Sequence, residues 1–368
     1  MMKIFRGRLL SAIAFVAFGL TLSPVQAQEL AFPGAMGFGA HVSGGRGGET
    51  VHVTNLNASG PGSLAEAVSR PRRVVVFDVE GIIRLKPGER IVVADSVSVL
   101  GQTAPGKGIT VYGSTFQVKG NNVILRYLRF RGSINMPRGK CTFVCDNVDG
   151  LMVDHCSISW GRWDNAHIKE SRNVTWQNCI IAEGIAPQRF GAITDETDRW
   201  TVARCLWANN KSRNPKMKCG IQYVNNVVYN CNNGAVGGHS ERDHYQDVVN
   251  NVFISGPTSR EVKSFFNLWT ATDHLYQRGN VMDIKPDGKF RPQPVTQFDK
   301  ATLMSMPRFG DFPSTDLLTV DQTLEEVVRT AGASKVRDRH DQRIIDQLKS
   351  MGKKGKKIDD ETQVGGIE

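Results

Sequence analysis

The chain carries seven cysteines but no Cys-x-x-Cys pair, which argues against a structural zinc site. No apolar stretch beyond residue 20 is long enough to cross a bilayer. Helix-turn-helix, zinc-finger and RNA-binding signatures are all absent, so a nucleic-acid partner is not expected. A phosphate loop is missing too. Residues 101–107 mimic one, but Gly108 stands where Ser or Thr is needed, and Pro105 interrupts the run.

The first residues address the compartment. Lys3, Arg6 and Arg8 form a basic region, residues 9–20 are apolar, and Val25-Gln26-Ala27 resembles a cleavage site. Residues 1–27 are therefore expected to be a signal peptide, and the mature chain to be soluble, secreted or periplasmic, and not held in a membrane. The formal net charge of +10 falls to +7 once the three leader cations are removed. A basic exported protein suits a polyanionic partner, although charge alone does not separate nucleic acid, anionic lipid and acidic sugar. An oxidising compartment permits disulfides. Cys141 and Cys145 are candidates for a small bridged loop, and the odd count leaves at least one thiol unpaired.

Short apolar runs followed by Asn or Cys recur along the chain. One position taken from each run gives Phe77, Leu100, Leu128, Cys156, Cys179, Cys205, Asn226, Asn251 and Asn280. The spacing drifts between 21 and 29 residues. A unit of this length is one coil of short strands, which cannot bury its apolar face alone and must stack on its neighbours. Leucine-rich repeats lack this pattern and propeller blades need a longer unit. The fold expected is all-β, a parallel β-helix with Cys156, Cys179 and Cys205 in one internal column, continued by Asn226, Asn251 and Asn280. A β-sandwich would not explain why that position returns in coil after coil. Loops of varied length should emerge on one side as the binding face.

Solenoid ends need caps. Ser63 to Glu66 reads as a capping box opening a short helix through Val68, which predicts an N-terminal plug. Past Asn280 the repeat fades. Helices are expected from Thr323 and over residues 338–351, followed by a basic tail at 353–357. The organisation expected is a catalytic β-helix over 28–281 and a C-terminal helical extension over 282–368, packed on the solenoid.

Several segments resemble bacterial pectate lyases, in the same order. They are residues 31–39, Gly44-Gly45-Arg46-Gly47-Gly48, residues 53–56 with 59–64, and residues 101–108. Asp154-His155-Cys156-Ser157 through Trp160, Ser212-Arg213-Asn214-Pro215 and Gln363-Val364-Gly365-Gly366 complete the set. The match spans nearly the whole mature chain. It implies a right-handed parallel β-helix that breaks 4-linked galacturonan, an acidic polysaccharide, by β-elimination, working as a monomer. A base removes the C5 proton α to the sugar carboxylate, the C4 oxygen leaves, and positive groups stabilise the charge that develops.

The resemblance places Arg213 where that family has its catalytic arginine, the presumed base. Five residues on, Lys218 replaces a second arginine and loses its bidentate fork. An arginine is an awkward base, because a guanidinium holds its proton above pH ~12. Clamping of a substrate carboxylate is the plainer role. Arg189 and Lys218 are candidate substrate ligands. Lys211 and Lys216 could extend the cationic cleft or simply be solvated. His155 is expected inside the coil stack with a satisfied ring rather than in the reaction.

The resemblance also implies calcium, and here the sequence departs from the family. Asp164 fits one acidic position, but Ile168 occupies the place four residues on. Asp146, or Asp149, could contribute from the preceding coil. Calcium takes about 6–8 oxygens, so one carboxylate makes a poor site. Arg189 or Lys169 could supply the positive charge instead. Two other readings remain open at this level. One is a carbohydrate-binding β-helix without catalysis. The other is a glycoside hydrolase, which needs paired carboxylates; Asp195, Glu196 and Asp198 cluster but read more simply as an exposed loop.

Overall fold

The computed structural model describes residues 1, 29–259, 265–310 and 317–367. The expected leader, beyond Met1, lies outside them. Among the described residues no helix is long and apolar enough to cross a membrane.

Short runs rich in Val, Ile and Leu form strands that pair in parallel with their counterparts one coil later, save Gln293–Pro294, which joins Val281–Asp283 antiparallel. Three stacks result. Face A runs from Glu49–Val53 through Arg73–Phe77, Val97–Leu100, Val123–Arg126, Asp149–Asp154 and Arg172–Gln177 to Asp273–Arg278 and Thr302–Leu303. Face B runs from Gly81–Arg84 to Val281–Asp283. Face C includes Arg90–Val93, Thr115–Val118, Phe143–Asp146 and Asp164–Lys169. It continues in the first halves of Phe190–Ala203 and Lys216–Val224, two long strands that cross from face C into face A. Hydrogen bonding therefore joins A and C into one 17-stranded sheet, while B is a separate sheet of 10 strands. The parallel β-solenoid expected from the repeat is the observed fold.

The turn from A to B places Tyr127, His155, Asn178, Arg204, Asn225 and Asn250 in the left-handed region, with φ between 51° and 56°. The next residue is the inward column. Cys156, Cys179, Cys205, Asn226, Asn251 and Asn280 occupy it in successive coils, as expected, all buried. Asn226 Nδ2 donates to Asn251 Oδ1 at 3.0 Å, and Asn251 Nδ2 to Asn280 Oδ1 at 2.9 Å. Each Oδ1 also accepts a backbone N–H, and each amide also donates to a carbonyl of the preceding coil. The start of the register differs from expectation. Leu100 pairs with Arg126, two residues short of Leu128, because a tight turn at Gly101–Thr103 replaces the left-handed turn there.

All seven cysteines are buried and free, so the bridge expected between Cys141 and Cys145 is not formed. Four residues of nearly extended chain span ~13 Å, beyond the reach of a disulfide. Burial pushes the thiols of Cys145, Cys156 and Cys219 up to about 12, which keeps them inert.

Helix α1, Leu64–Ala67, plugs the first coil with Leu64, Ala67 and Val68 fully buried. Ser63 caps it by accepting from Glu66 N, but Ser63 N bonds to Gly60 O, so only half of the expected capping box forms. At the other end the stack runs past 281, since Thr302–Leu303 pairs with face A. Helix α2, Val320–Thr330, begins earlier than expected because Thr319 and Gln322 make the capping box. Helix α3, Arg339–Lys349, is capped by Asp338 as expected. Val327, Ile344, Ile345 and Leu348 from these helices close over Leu206, Val227 and neighbouring side chains on the outside of face B. Buried ion pairs fix the extension there. Arg131 meets Asp338 at 2.8 Å and Asp341 at 2.9 Å, and Arg343 grips Glu183 with both nitrogens.

Replacing Asn251 by Ala removes the acceptor for two Asn226 donors and the donor to Tyr223 O. Buried orphans cost about 1–3 kcal/mol each, so a loss of at least ~3 kcal/mol is expected in urea unfolding followed by far-ultraviolet circular dichroism. An unchanged midpoint would refute the ladder's role.

Candidate active site

Strand alternation sorts the side chains of face C. Cys145, Ile168 and Met217 point inward and are fully buried. Their neighbours point outward in strict register. Asp146 lies opposite Lys169, Lys169 opposite Asp195, and Asp195 opposite Lys218. Strands ~4.8 Å apart thus carry a column of alternating charge. His167 and Lys216 stand one outward position earlier on their strands.

Asp195 is the hub. It accepts from His167 Nε2 at 2.9 Å and forms an ion pair with Lys218. The His167 hydrogen bond first, and Lys218 after it, hold its carboxyl well below the usual range. Asp195 and Glu196, expected on an exposed loop, lie instead on the long strand Phe190–Ala203, where Glu196 pairs with Arg242 at 3.1 Å. A groove of about 420 Å³ of mixed charge lies over the column, where Lys169, Lys218 and Arg242 stand beside Glu170, Asp195, Glu196 and Glu241.

Arg213 sits just before strand Lys216–Val224, in the left-handed region at φ 61°. Its carbonyl accepts from Ala192 N, and Ser212 O accepts from Gly191 N, one coil earlier. Gly191 is required there, because a Cβ would come within 2.3 Å of Arg213 O. The guanidinium lies 4.2 Å from the centroid of Phe190, and Nη1 donates to Asp164 Oδ2 at 2.9 Å. Asp164 is fully buried and its Oδ1 has no partner. Burial pushes its carboxyl up to about 7 even though Arg213 pulls the other way. Lys216 is buried with Nζ donating to Gly237 O and to His239 Nδ1, both at 2.9 Å.

The other expected site residues are more dispersed. Arg189 pairs with Asp359 of the C-terminal extension, and its carbonyl accepts from Lys211 N at 2.6 Å. Lys211 itself is exposed. Lys218 joins the groove. Asp146 and Asp164 are not brought together. Asp146 lies opposite Lys169 and Asp164 five residues back along that strand, ~16 Å away. His155 is not inside the stack. It lies on the A-to-B turn, bonded to Asp154 at 2.8 Å and stacked on Tyr127, remote from face C.

This arrangement does not suit a calcium ion. Asp164 contributes one open oxygen, Asp195 is already held by His167 and Lys218, and Asp146 is distant. Among the described residues no three His, Cys, Asp or Glu side chains gather as a metal set. Asp195, His167, Arg242 and His239 escaped the sequence reading as members of the site. Only the register between coils aligns Asp195 with Lys169 and Lys218.

The molecule is thus a parallel β-solenoid with an open cleft of alternating charge on face C. No family model matches the chain. Curated relatives do. It is 39% identical over 346 residues to a probable pectate lyase C of Aspergillus flavus, covering 92% of this chain and 81% of that protein. The probable pectate lyase C of Emericella nidulans is 38% identical over 343 residues, covering 92% and 80%. The chain belongs to the pectate lyase family. Solved structures show the same fold. A pectate lyase bound to a hexasaccharide aligns with TM-score 0.61 at 12% identity over 84% of this chain and 99% of that one. The major allergen of cedar pollen aligns with TM-score 0.58 at 17% identity, over 81% and 92%.

Asp164 yields a pH test. Its folded value lies above that of the unfolded chain, so the native state keeps a proton that the unfolded state has lost between pH ~4 and about 7. The stability linked to that proton is present below this window and is lost as pH rises through it. Asp164→Asn cannot ionise. Its thermal midpoint should gain on that of the parent more at pH 8 than at pH 4, and an equal difference at both would contradict the assignment.

Proposed function

We propose that this polysaccharide lyase cleaves 4-linked galacturonan by β-elimination, as an exported monomer, with Arg213 at the reacting carbon. The observation that carries this reading is the Arg213–Asp164 pair, set on the open face beside a column in which Lys169 and Lys218 alternate with carboxylates. Galacturonan presents a carboxylate on every residue. Lys218 and Arg242 line the groove that would receive the chain, and Lys169 continues it.

Arg213 is the proposed acceptor of the C5 proton: one guanidine nitrogen takes it as Nη1 passes its own proton to Asp164 Oδ2, 2.9 Å away, so that no doubly protonated group forms. Asp164 and Phe190 fix its guanidinium from two sides, so its remaining nitrogens are presented in one orientation. As the proton leaves, negative charge grows on the substrate carboxylate. Lys218, and the ammonium of Lys216 below it, stabilise that charge without reorganising. No step is assigned to calcium, because the carboxylates do not converge. Arg189, tied to Asp359, would border the cleft, and Lys211 would extend it.

The test is incubation of mature protein with polygalacturonate, with added calcium and with chelator, following ultraviolet absorbance of the new C4–C5 double bond. Unsaturated product is expected, at a rate the chelator leaves within about twofold. Saturated reducing ends would mean hydrolysis, and no cleavage would mean binding alone. Arg213→Ala should lower kcat by roughly 10²–10⁴-fold with a smaller change in KM, the range for a lost proton-transfer group. Full turnover by that variant would remove Arg213 from the chemistry.

A further inference from the structure

β-Elimination needs more than a base. The C4 oxygen leaves as an alkoxide unless a proton reaches it, and no residue has yet been given that task. Within the lyase reading above, on which this inference rests, we propose that His239 is the general acid for the leaving oxygen and that Lys216 resupplies its proton.

The geometry carries the assignment. His239 is exposed on the loop that follows strand Ala235–Val236, and Lys216 is buried beneath it. An ammonium has only donors, so the 2.9 Å contact makes His239 Nδ1 the acceptor. That fixes the imidazole in the neutral tautomer with its proton on Nε2, away from Lys216. The loop is held firmly. Gly238 N donates to Asp273 Oδ2 at 2.8 Å, and His239 is set in the left-handed region at φ 59°. Lys216 Nζ is fixed a second time by Gly237 O. Arg213 precedes Lys216 by three residues, which places the pair beside the proposed base.

The surrounding charges suit the role. Arg213 and Lys218 flank Lys216 on its own segment, while Asp195 and Asp273 face it from neighbouring strands. Burial first, then the two cations, push the ammonium down to about 8. It is therefore charged at neutral pH yet a far better acid than an exposed lysine. Lys216, with Arg213 and Lys218 beyond it, depresses the imidazole of His239, so a second proton does not settle there.

The step balances. The C5 proton passes to the base, and the C5–H electron pair forms the C4–C5 double bond. The C4–O pair goes to the leaving oxygen, which takes the Nε2 proton of His239. Nδ1 takes a proton from Lys216; afterwards Nε2 takes a proton from solvent and Nδ1 returns its own to the amine, which restores the starting tautomer. His239 touches the reacting atoms; Lys216 acts through it.

Leaving-group dependence separates this role from a structural one. His239→Ala should lose roughly 10²–10⁴-fold in kcat on polygalacturonate. It should stay within about fivefold of the parent on a galacturonate whose C4 oxygen carries a 4-nitrophenyl group, since nitrophenolate departs unprotonated. The acid must carry its proton, so activity of the parent should fall as pH rises through about 8, and Lys216→Met should lose that alkaline limb. If Lys216→Met does not fold, the exposed His239→Ala variant decides alone. Equal losses on both substrates, or full turnover of polygalacturonate by His239→Ala, would overturn the assignment while leaving the lyase reading intact. Absence of unsaturated product from the parent chain would overturn both.

Discussion

Parallel hydrogen bonding between successive coils is the constraint on which the rest of this molecule depends. Each coil is only two dozen or so residues long and has no core of its own. Its strands acquire partners, and its apolar side chains a covering, only from the coils above and below. The inward column of Cys and Asn locks that stacking. At Asn226 and Asn251 every amide hydrogen bond is completed by the neighbouring coil, so a slip of one residue would strand several buried polar groups at once. Register is thereby set along the whole stack, and register in turn decides which side chains meet outside it.

The outer surfaces of the faces then diverge in chemistry. Face B presents Ile180, Leu206, Val227 and Ile254 outward, and the C-terminal helices close over it. Arg131 with Asp338 and Asp341, and Arg343 with Glu183, bind the extension by charges that are buried and mutually compensated. Face C presents Asp146, Lys169, Asp195 and Lys218 and stays open. The extension reaches its edge through Asp359, which pairs with Arg189 and accepts from Ala186 N. One face buries apolar area for stability, and the other keeps charge in a cleft for an anionic chain.

Within the cleft, carboxylates serve the cations. Asp195 orders Lys218 and His167, and Asp164 orders Arg213. The acids here are dispersed, each to a basic partner. On the proposed reading, the electrostatic work of stabilising a substrate carboxylate falls to side chains whose positions are set by strands. Lys216 marks the price of this solution: a buried ammonium crowded by Arg213 and Lys218 holds its proton weakly, which makes it useful as a proton source.

Much of this was legible in the residues themselves. The recurring Cys and Asn positions implied coils, stacking and an internal ladder. The inferred register failed only near Leu100, where a tight turn leaves a different spacing from the left-handed turns that follow. Other features were hidden because they depend on pairs distant in sequence. Cys141 and Cys145 look close along the chain but are held apart by extended backbone. Asp146 and Asp164 look like partners but lie at opposite ends of neighbouring strands. Asp195 looks like a loop acid, yet register puts it between Lys169 and Lys218. Local pattern determined that this chain is a β-solenoid, because strand alternation and turn chemistry act over a few residues. Tertiary structure alone decided which charges pair and which proton donor stands beside Arg213, because those contacts are made between coils, across more than 20 residues of chain.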